Sequence, residues 1–450
     1  MKRRDFFTTS ALLSASIPLG ITPLMTSCSN SDKGTHESFT LEQLGMYSFA
    51  PKAPDGKAIR AALIGCGSRG TGAAFNFLNA GNGLSIVALG DLFADRLASC
   101  REKLAKDKNI VVADDMCFLG FDAIHKVLAL DIDLILIATP THFHPEHLKA
   151  AVAANKHVFM EKPAAVDPVG IRTVMVAARQ AEAAGLTIVT GNQRRHQRDY
   201  WEAYLQIKNG SIGEVLSATA HYNQGAMWNK TKRAEWSDME YNIRNFFNIK
   251  WLSGDHFLDQ GIHPIDIATW FTGMLPVMAV GYGGRARRLT GDIFDFFSVD
   301  YRYDKNKRMM ATARQIDGCD KDLSESVMGT KGVLYTYPGG GMRIENYNGE
   351  VIWKYDYEAN PVKNAYDQEH VHLVESIRLN KKINQAEALA NSTMVAILGR
   401  EAAYSGKSIT WDEIMASDLR YGPTEYAMGP LPDYFEGVAP LPGRAPGSPI

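Results

Sequence analysis

Between residues 59 and 190 the chain sets short apolar runs between helical stretches. Residues 59–64, 84–89, 133–138, 156–160 and 186–190 are dominated by Ile, Leu, Val, Phe and Ala. Near-continuous apolar runs of this length mark parallel strands buried on both faces, because crossover helices cover each side. The alternation of strand and helix predicts a doubly wound sheet. Beyond about residue 200 the pattern changes. Residues 215–222, 296–303, 308–316, 332–337 and 351–357 read as strands, and several alternate apolar with polar side chains, as half-exposed antiparallel strands do. Residues 412–450 hold many of the 19 prolines and predict an irregular tail lying along the surface or against a second subunit.

The first thirty residues follow a different logic. Arg3 and Arg4 precede a weakly apolar stretch from Ala11 to Met25, interrupted by Pro18 and Pro23. That stretch is too short to span a bilayer comfortably. Paired arginines, an apolar run and small residues predict an export signal of the twin-arginine type over residues 1–30. Met25-Thr26-Ser27-Cys28 resembles the lipobox of bacterial lipoproteins, with Met25 where Leu is usual. The expectation is a periplasmic protein, or one held at the membrane through a lipid on Cys28. Residues 31–57, rich in Ser, Thr, Gly, Lys and Pro, read as a linker.

Composition narrows the field. In 450 residues, 45% hydrophobic and 22% charged, neither global disorder nor a fibrous repeat is compatible with the balance. With 48 basic and 50 acidic side chains, no broad positive field exists to hold a nucleic acid. Five cysteines without a CxxC pair argue against a disulfide framework or structural zinc.

The strand at residues 59–64 runs into Gly65-Cys66-Gly67-Ser68-Arg69-Gly70 and then a helical stretch. Strand, GxGxxG, helix is the dinucleotide fingerprint. One glycine makes the turn, one admits the pyrophosphate, one packs helix on strand, and the helix amino terminus faces the phosphates. Gly65, Gly67, Ser68, Arg69 and Gly70 are therefore candidate cofactor contacts. Asp91 ends the second strand, where a carboxylate accepts from ribose hydroxyls and repels a 2′-phosphate, favouring NAD over NADP. Arg96 nearby keeps NADP as the lesser alternative. Thr139, Pro140 and His144 follow the next strand, Glu161 and Lys162 the one after, and Asn192 the last. Ligands bind at such strand ends, so all join the cofactor set; for His144 a core or capping role is the alternative.

These motifs carry a resemblance. The glycine loop, the turn from Thr139 to His144, Glu161-Lys162-Pro163, Asp259-Gln260-Gly261-Ile262-His263 with Asp266, and Met328-Gly329-Thr330-Lys331-Gly332 are similar to the Gfo/Idh/MocA family of oxidoreductases. The similarity covers roughly residues 58–405. It implies an α/β protein: a Rossmann doubly wound domain, taken as residues 58–190, followed by an α/β domain with a large, mostly antiparallel open sheet, taken as residues 191–411. It further implies NAD(P)-dependent chemistry on sugars or polyols, often in homodimers or homotetramers.

Oxidising a carbinol needs a base for the hydroxyl proton while hydride leaves carbon. Asp259 and His263 are four apart and would share a helix face. With the resemblance, His263 is the leading acid/base, Asp259 binds a hydroxyl or relays a proton, and Lys162 stabilises an alkoxide or serves as base. Arg194, Tyr222, Arg244 and Asp266 are candidate substrate contacts. Aromatic residues of the 236–251 segment could stack on a sugar or simply pack. Asp255 and His256 offer too few ligands for a metal, and none is expected.

Three functions are then in view. The leading one is an NAD-dependent oxidoreductase acting on a carbohydrate or polyol hydroxyl. The second is a glycosidase or lyase that oxidises the sugar transiently and recycles a bound cofactor; related glycoside hydrolases typically lack the lysine that stands here as Lys162. The third is a non-catalytic carbohydrate-binding lipoprotein, against which Lys162 and His263 both speak.

Overall fold

The protein is described by a computed structural model over residues 38–337, 341–431 and 439–443. The expected export signal, residues 1–30, and with it Cys28, lie outside the described residues. A compact unit begins at Phe39.

Among the described residues the strands form two sheets. The first contains β1 (Ile59–Ile64), β2 (Leu84–Asp91), β3 (Cys117–Leu119), β4 (Leu134–Ile137), β5 (His157–Met160) and β6 (Ile188–Thr190) in the order β3-β2-β1-β4-β5-β6, all parallel. Its inner strands β1, β4 and β5 are buried on both faces. Ala62, Ile64, Ile135 and Ile137 enter one apolar cluster, while Ala61, Leu63, Leu134 and Leu136 enter another. Alternate side chains point to opposite faces of a strand, so both faces demand apolar residues and the runs read as continuous. Each such Leu or Ile, fully buried, stabilises by roughly 1.5–3 kcal/mol.

The second sheet contains β7 (Val215–Gln224), β8 (Met278–Gly284), β9 (Phe296–Arg302), β10 (Arg308–Gln315), β11 (Glu325–Gly329), β12 (Gly332–Thr336), β13 (Arg343–Asn346), β14 (Val351–Lys354) and β15 (Ile409–Thr410). Its order is β14-β13-β12-β11-β7-β10-β9-β8-β15, and only the β7/β10 pair among these ladders is parallel. Alternate residues Met309, Ala311 and Ala313 are buried, on the face covered by the helices Ile262–Thr272 and Ala386–Ser405. The opposite face leaves Tyr282, Met310 and Met328 exposed. This is the α/β arrangement expected, a Rossmann sheet plus a mostly antiparallel one.

Four local expectations need correction. The strands β3, β8, β11, β13 and β15 escaped the apolar pattern: β8 is glycine-rich, and the others are short or carry charge. Residues 39–57 are docked rather than a free linker. Tyr47 stacks on His196 with ring centroids 5.5 Å apart, and His372 Nε2 lies 2.8 Å from the Ser48 carbonyl. The tail contains a helix, Trp411–Ala416, with a capping box at Thr410 and Glu413; beyond it, Leu431 is buried and Tyr426 packs with Phe143. Finally, Asp259 and His263 do not share one helix. Asp259 ends the helix His256–Asp259, and His263 lies in the first turn of the next, Ile262–Thr272.

Candidate active site

Strand order reverses between β1 and β4, the position at which a doubly wound sheet opens a crevice for ligand. Gly65 leaves β1 with φ +94°, a conformation that favours glycine, and a Cβ there would lie 2.5 Å from the Ala138 carbonyl oxygen. A Cβ on Gly70 would lie 1.8 Å from the Gly65 carbonyl oxygen, so the helix Ser68–Asn79 can approach only as it does. Gly67 differs: nothing lies within 4 Å of its would-be Cβ. It faces open cleft, and the helix that follows has no side-chain cap on its first turn. Free N–H groups beside an open glycine suit a pyrophosphate.

Asp91 ends β2 with its carboxylate held by two backbone donors, Cys66 N at 2.6 Å and Phe93 N at 2.8 Å. Burial pushes its pKa above the usual range, against the pull of those amides. The cleft is about 890 Å³ and is lined by the glycine loop, Asp91, Thr139, Pro140, Glu161, Lys162, Tyr222, Asp259 and His263. These residues fit a dinucleotide. Because β2 and β5 flank the central β1–β4 pair, Asp91 and Lys162 stand at opposite ends of the cleft.

At the Lys162 end three polar groups converge. Lys162 Nζ donates to the Asp259 carbonyl oxygen at 2.5 Å and lies 3.5 Å from Asp259 Oδ1. Gln260 Nε2 donates to the other carboxylate oxygen, Oδ2, at 2.9 Å. His263 opens part of its ring to the cleft and stacks on Tyr222, centroids 6.0 Å apart. Burial, then the positive charges of Lys162 and Arg194, hold its pKa well below the ordinary value. The imidazole is therefore neutral at neutral pH.

Several candidates belong elsewhere. Asp266 is buried outside the cleft, accepting from Arg195 Nε at 2.8 Å, Arg195 Nη2 at 2.9 Å and Ser392 Oγ at 2.7 Å; it is an internal ion-pair partner, not a substrate contact. Arg194 edges the cleft, but its guanidinium is taken by buried Glu325, which Thr336 also bonds. Arg244 lines the opposite end of the cleft, paired with Asp95 and Glu240, and so is not a contact of the reacting substrate. His144 is buried between two loops, its ring nitrogens 2.7 Å from the Pro163 carbonyl and 2.8 Å from the Thr139 carbonyl, and joins them rather than lining the cleft. Asn192 is buried behind the wall formed by Gly191 and Gln193. Arg69 and Glu161 both reach the cleft, and they pair with each other at 2.7 Å. Asp255 and His256 are buried, with Asp255 accepting from Phe294 N at 2.9 Å and from Tyr404. Among the described residues no group of three or more His, Cys, Asp or Glu is placed to hold a metal.

The oxidoreductase family with an NAD-binding Rossmann fold matches residues 59–188, and the GFO/IDH/MocA C-terminal domain matches residues 200–335. The chain belongs to the Gfo/Idh/MocA family. Similar curated relatives include the glycosyl hydrolase family 109 protein 3 of Phocaeicola vulgatus, 25% identical over 394 residues, 78% of this chain and 67% of that protein. Another is the myo-inositol 2-dehydrogenase of Thermotoga maritima, 27% identical over 48% of this chain and 55% of that protein. The chain thus matches little more than half the length of that dehydrogenase. Among solved structures, the myo-inositol 2-dehydrogenase of Lactobacillus plantarum shares the fold, with TM-score 0.59 at 21% identity over 79% of this chain and 99% of that one.

This family member also lines its cleft with residues that carried no sequence signal: Phe93, Trp228, Lys230 and Tyr366. Trp228 meets Phe246 edge to face at 5.6 Å, and Lys230 Nζ lies 5.8 Å from the Trp228 ring centroid. Phe246 and Phe247, from the aromatic segment, line the cleft as well, whereas Trp251 is core. The split was not legible because a stacking platform and a packing cluster have the same composition.

Proposed function

We propose that the cleft binds NAD and that the protein oxidises a carbinol of a sugar or polyol at the Lys162 end. The observation that carries this is the convergence of Lys162, Asp259 and a neutral His263 at the end of a dinucleotide cleft opposite Asp91. A dinucleotide held by the glycine loop and Asp91 would supply the hydride acceptor for the carbinol carbon. His263 takes the hydroxyl proton on its imidazole. The Lys162 ammonium donates to the substrate oxygen as negative charge develops. Asp259 aims that ammonium through its carbonyl and carboxylate. Asp91, its oxygens already drawn to backbone amides, supports NAD rather than NADP as the dinucleotide.

The second reading is redox-neutral glycoside cleavage with the same bound cofactor. It is supported by the glycosyl hydrolase relative, whose similarity runs through both halves of the chain; Lys162 tells against it. A panel of inositols, aldoses and glycosides, followed by reduced-nicotinamide absorbance and free-sugar release together, separates the two. Stoichiometric NADH from a sugar or polyol is the expected result. Released sugar without net NADH would transfer the proposal to the second reading.

The same proposal includes export by the twin-arginine route, a lipid on Cys28, and pairing of copies through the sheet face that carries Tyr282, Met310 and Met328. Native mass spectrometry of the protein from its own host tests these together. A chain beginning at lipidated Cys28, in an even-numbered assembly, is expected; a monomer beginning at Met1 would contradict them.

A further inference from the structure

We propose that the helix Asp238–Arg244 is a latch that keeps the dinucleotide resident, with Arg244 as the group that closes it. The inference rests on the dinucleotide reading of the cleft. The helix lies between β7 and β8, in the second half of the chain, yet Arg244 reaches across to the first. Its Nη1 and Nη2 each donate to the Asp95 carboxylate at 2.9 Å, in the parallel two-bond geometry that guanidinium and carboxylate favour. Its Nε donates to Glu240 at 2.8 Å, which fixes the side chain from its own helix. Its Cζ sits 3.9 Å from the ring centroid of Phe93.

Phe93 and Asp95 follow Asp91 at the end of β2, where a doubly wound fold holds the adenosine ribose. Arg244, Phe93 and Asp95 all line the cleft. The contact therefore bridges the two walls of the cleft at its adenosine end. Beneath it, Met239 and Ile243 are buried in one cluster with Phe93, so the helix is seated and not merely touching. The exposures are asymmetric: the Arg244 side chain is 14% exposed and that of Asp95 is 63% exposed. The cation is packed in place and the carboxylate is the side that can let go. A ligand held under this bridge leaves only after the bridge opens, so the latch acts on the dissociation rate.

The test uses the full-length protein, its Arg244→Ala and Asp95→Asn variants and the double variant, each charged with NAD+ and passed through a desalting column. Bound dinucleotide is released with acid and quantified, and its off-rate is followed by chase with excess ADP-ribose. The wild-type protein is expected to emerge loaded. Arg244→Ala, which removes both the ion pair and the contact with Phe93, is expected to release NAD+ about tenfold faster, and Asp95→Asn, which removes only the exposed ion pair, about threefold faster. The double variant is expected to be no faster than Arg244→Ala, because both changes break one bridge. Asp95→Asn alters an exposed side chain and carries the test if Arg244→Ala folds poorly. Off-rates equal to the wild type in both single variants would overturn the latch while leaving the dinucleotide reading intact. A wild-type protein that takes up no NAD+ would overturn both.

Discussion

His263→Ala should lower turnover by about a hundred- to ten-thousand-fold, the range for removing a positioned acid/base, with NAD affinity unchanged. His263 faces the cleft beside Tyr222 and within the field of Lys162, at the end away from the adenosine site. Burial and two neighbouring cations favour its neutral form, so a proton acceptor is available without waiting for high pH. A base with a depressed pKa stays active as pH falls through the ordinary histidine range. The acid limb of kcat/KM should accordingly lie below about pH 6.5, the ordinary histidine value. Lys162→Ala should lose less, about a hundred- to a thousandfold, since it removes a charge that stabilises the developing oxyanion but leaves the base. A His263→Ala protein with wild-type turnover would assign the proton to another group.

A steep loss of stability in mild acid is the second large effect. His147, His196, His256 and His370 are buried, and burial lowers each to about 3. Unfolding returns all four to an ordinary value near 6.5, so below that pH the unfolded chain binds more protons and stability falls as pH falls. At about pH 5.5 each contributes about 1.4 kcal/mol of loss. Four together approach about 6 kcal/mol, partly offset by Asp199 and Asp255, whose carboxyls burial raises to about 6 and which therefore favour the folded state as pH falls; the net is still a sizeable part of a typical total stability of about 5–15 kcal/mol. Thermal unfolding followed by circular dichroism at about pH 7.5 and 5.5 checks this, and His256→Leu should flatten the dependence. Equal midpoints at both pH values would contradict the buried, neutral state of these rings.

What was legible in the sequence follows from how local each signal is. The parallel strands could be read because residues such as Leu63 and Ile64 face opposite cores and both must be apolar. The strand β8, Met-Ala-Val-Gly-Tyr-Gly-Gly, has no such signature and is made a strand by its neighbour β9. On the cleft wall, Gly65, Gly67 and Gly70 were readable from spacing over a few residues, and Lys162, Asp259 and His263 from short motifs that carry the family resemblance. Asp266, Arg244 and His144 were not, because their roles are decided by partners 71, 149 and 19 residues away in sequence. A charged side chain reads the same whether it meets a substrate or a buried counter-ion. The helix break at Gly261 was hidden for a different reason: four-residue spacing suggests a continuous helix, and the chain keeps both residues on the cleft without one.

The central claim is that hydride passes from a carbinol carbon to a dinucleotide beside Lys162 and His263. A single turnover with enzyme in excess tests it most directly, using a turned-over sugar or polyol deuterated at the reacting carbon and mass spectrometry of the released cofactor. The account predicts one deuterium in the reduced nicotinamide ring. Product formed with no deuterium in the dinucleotide would contradict it.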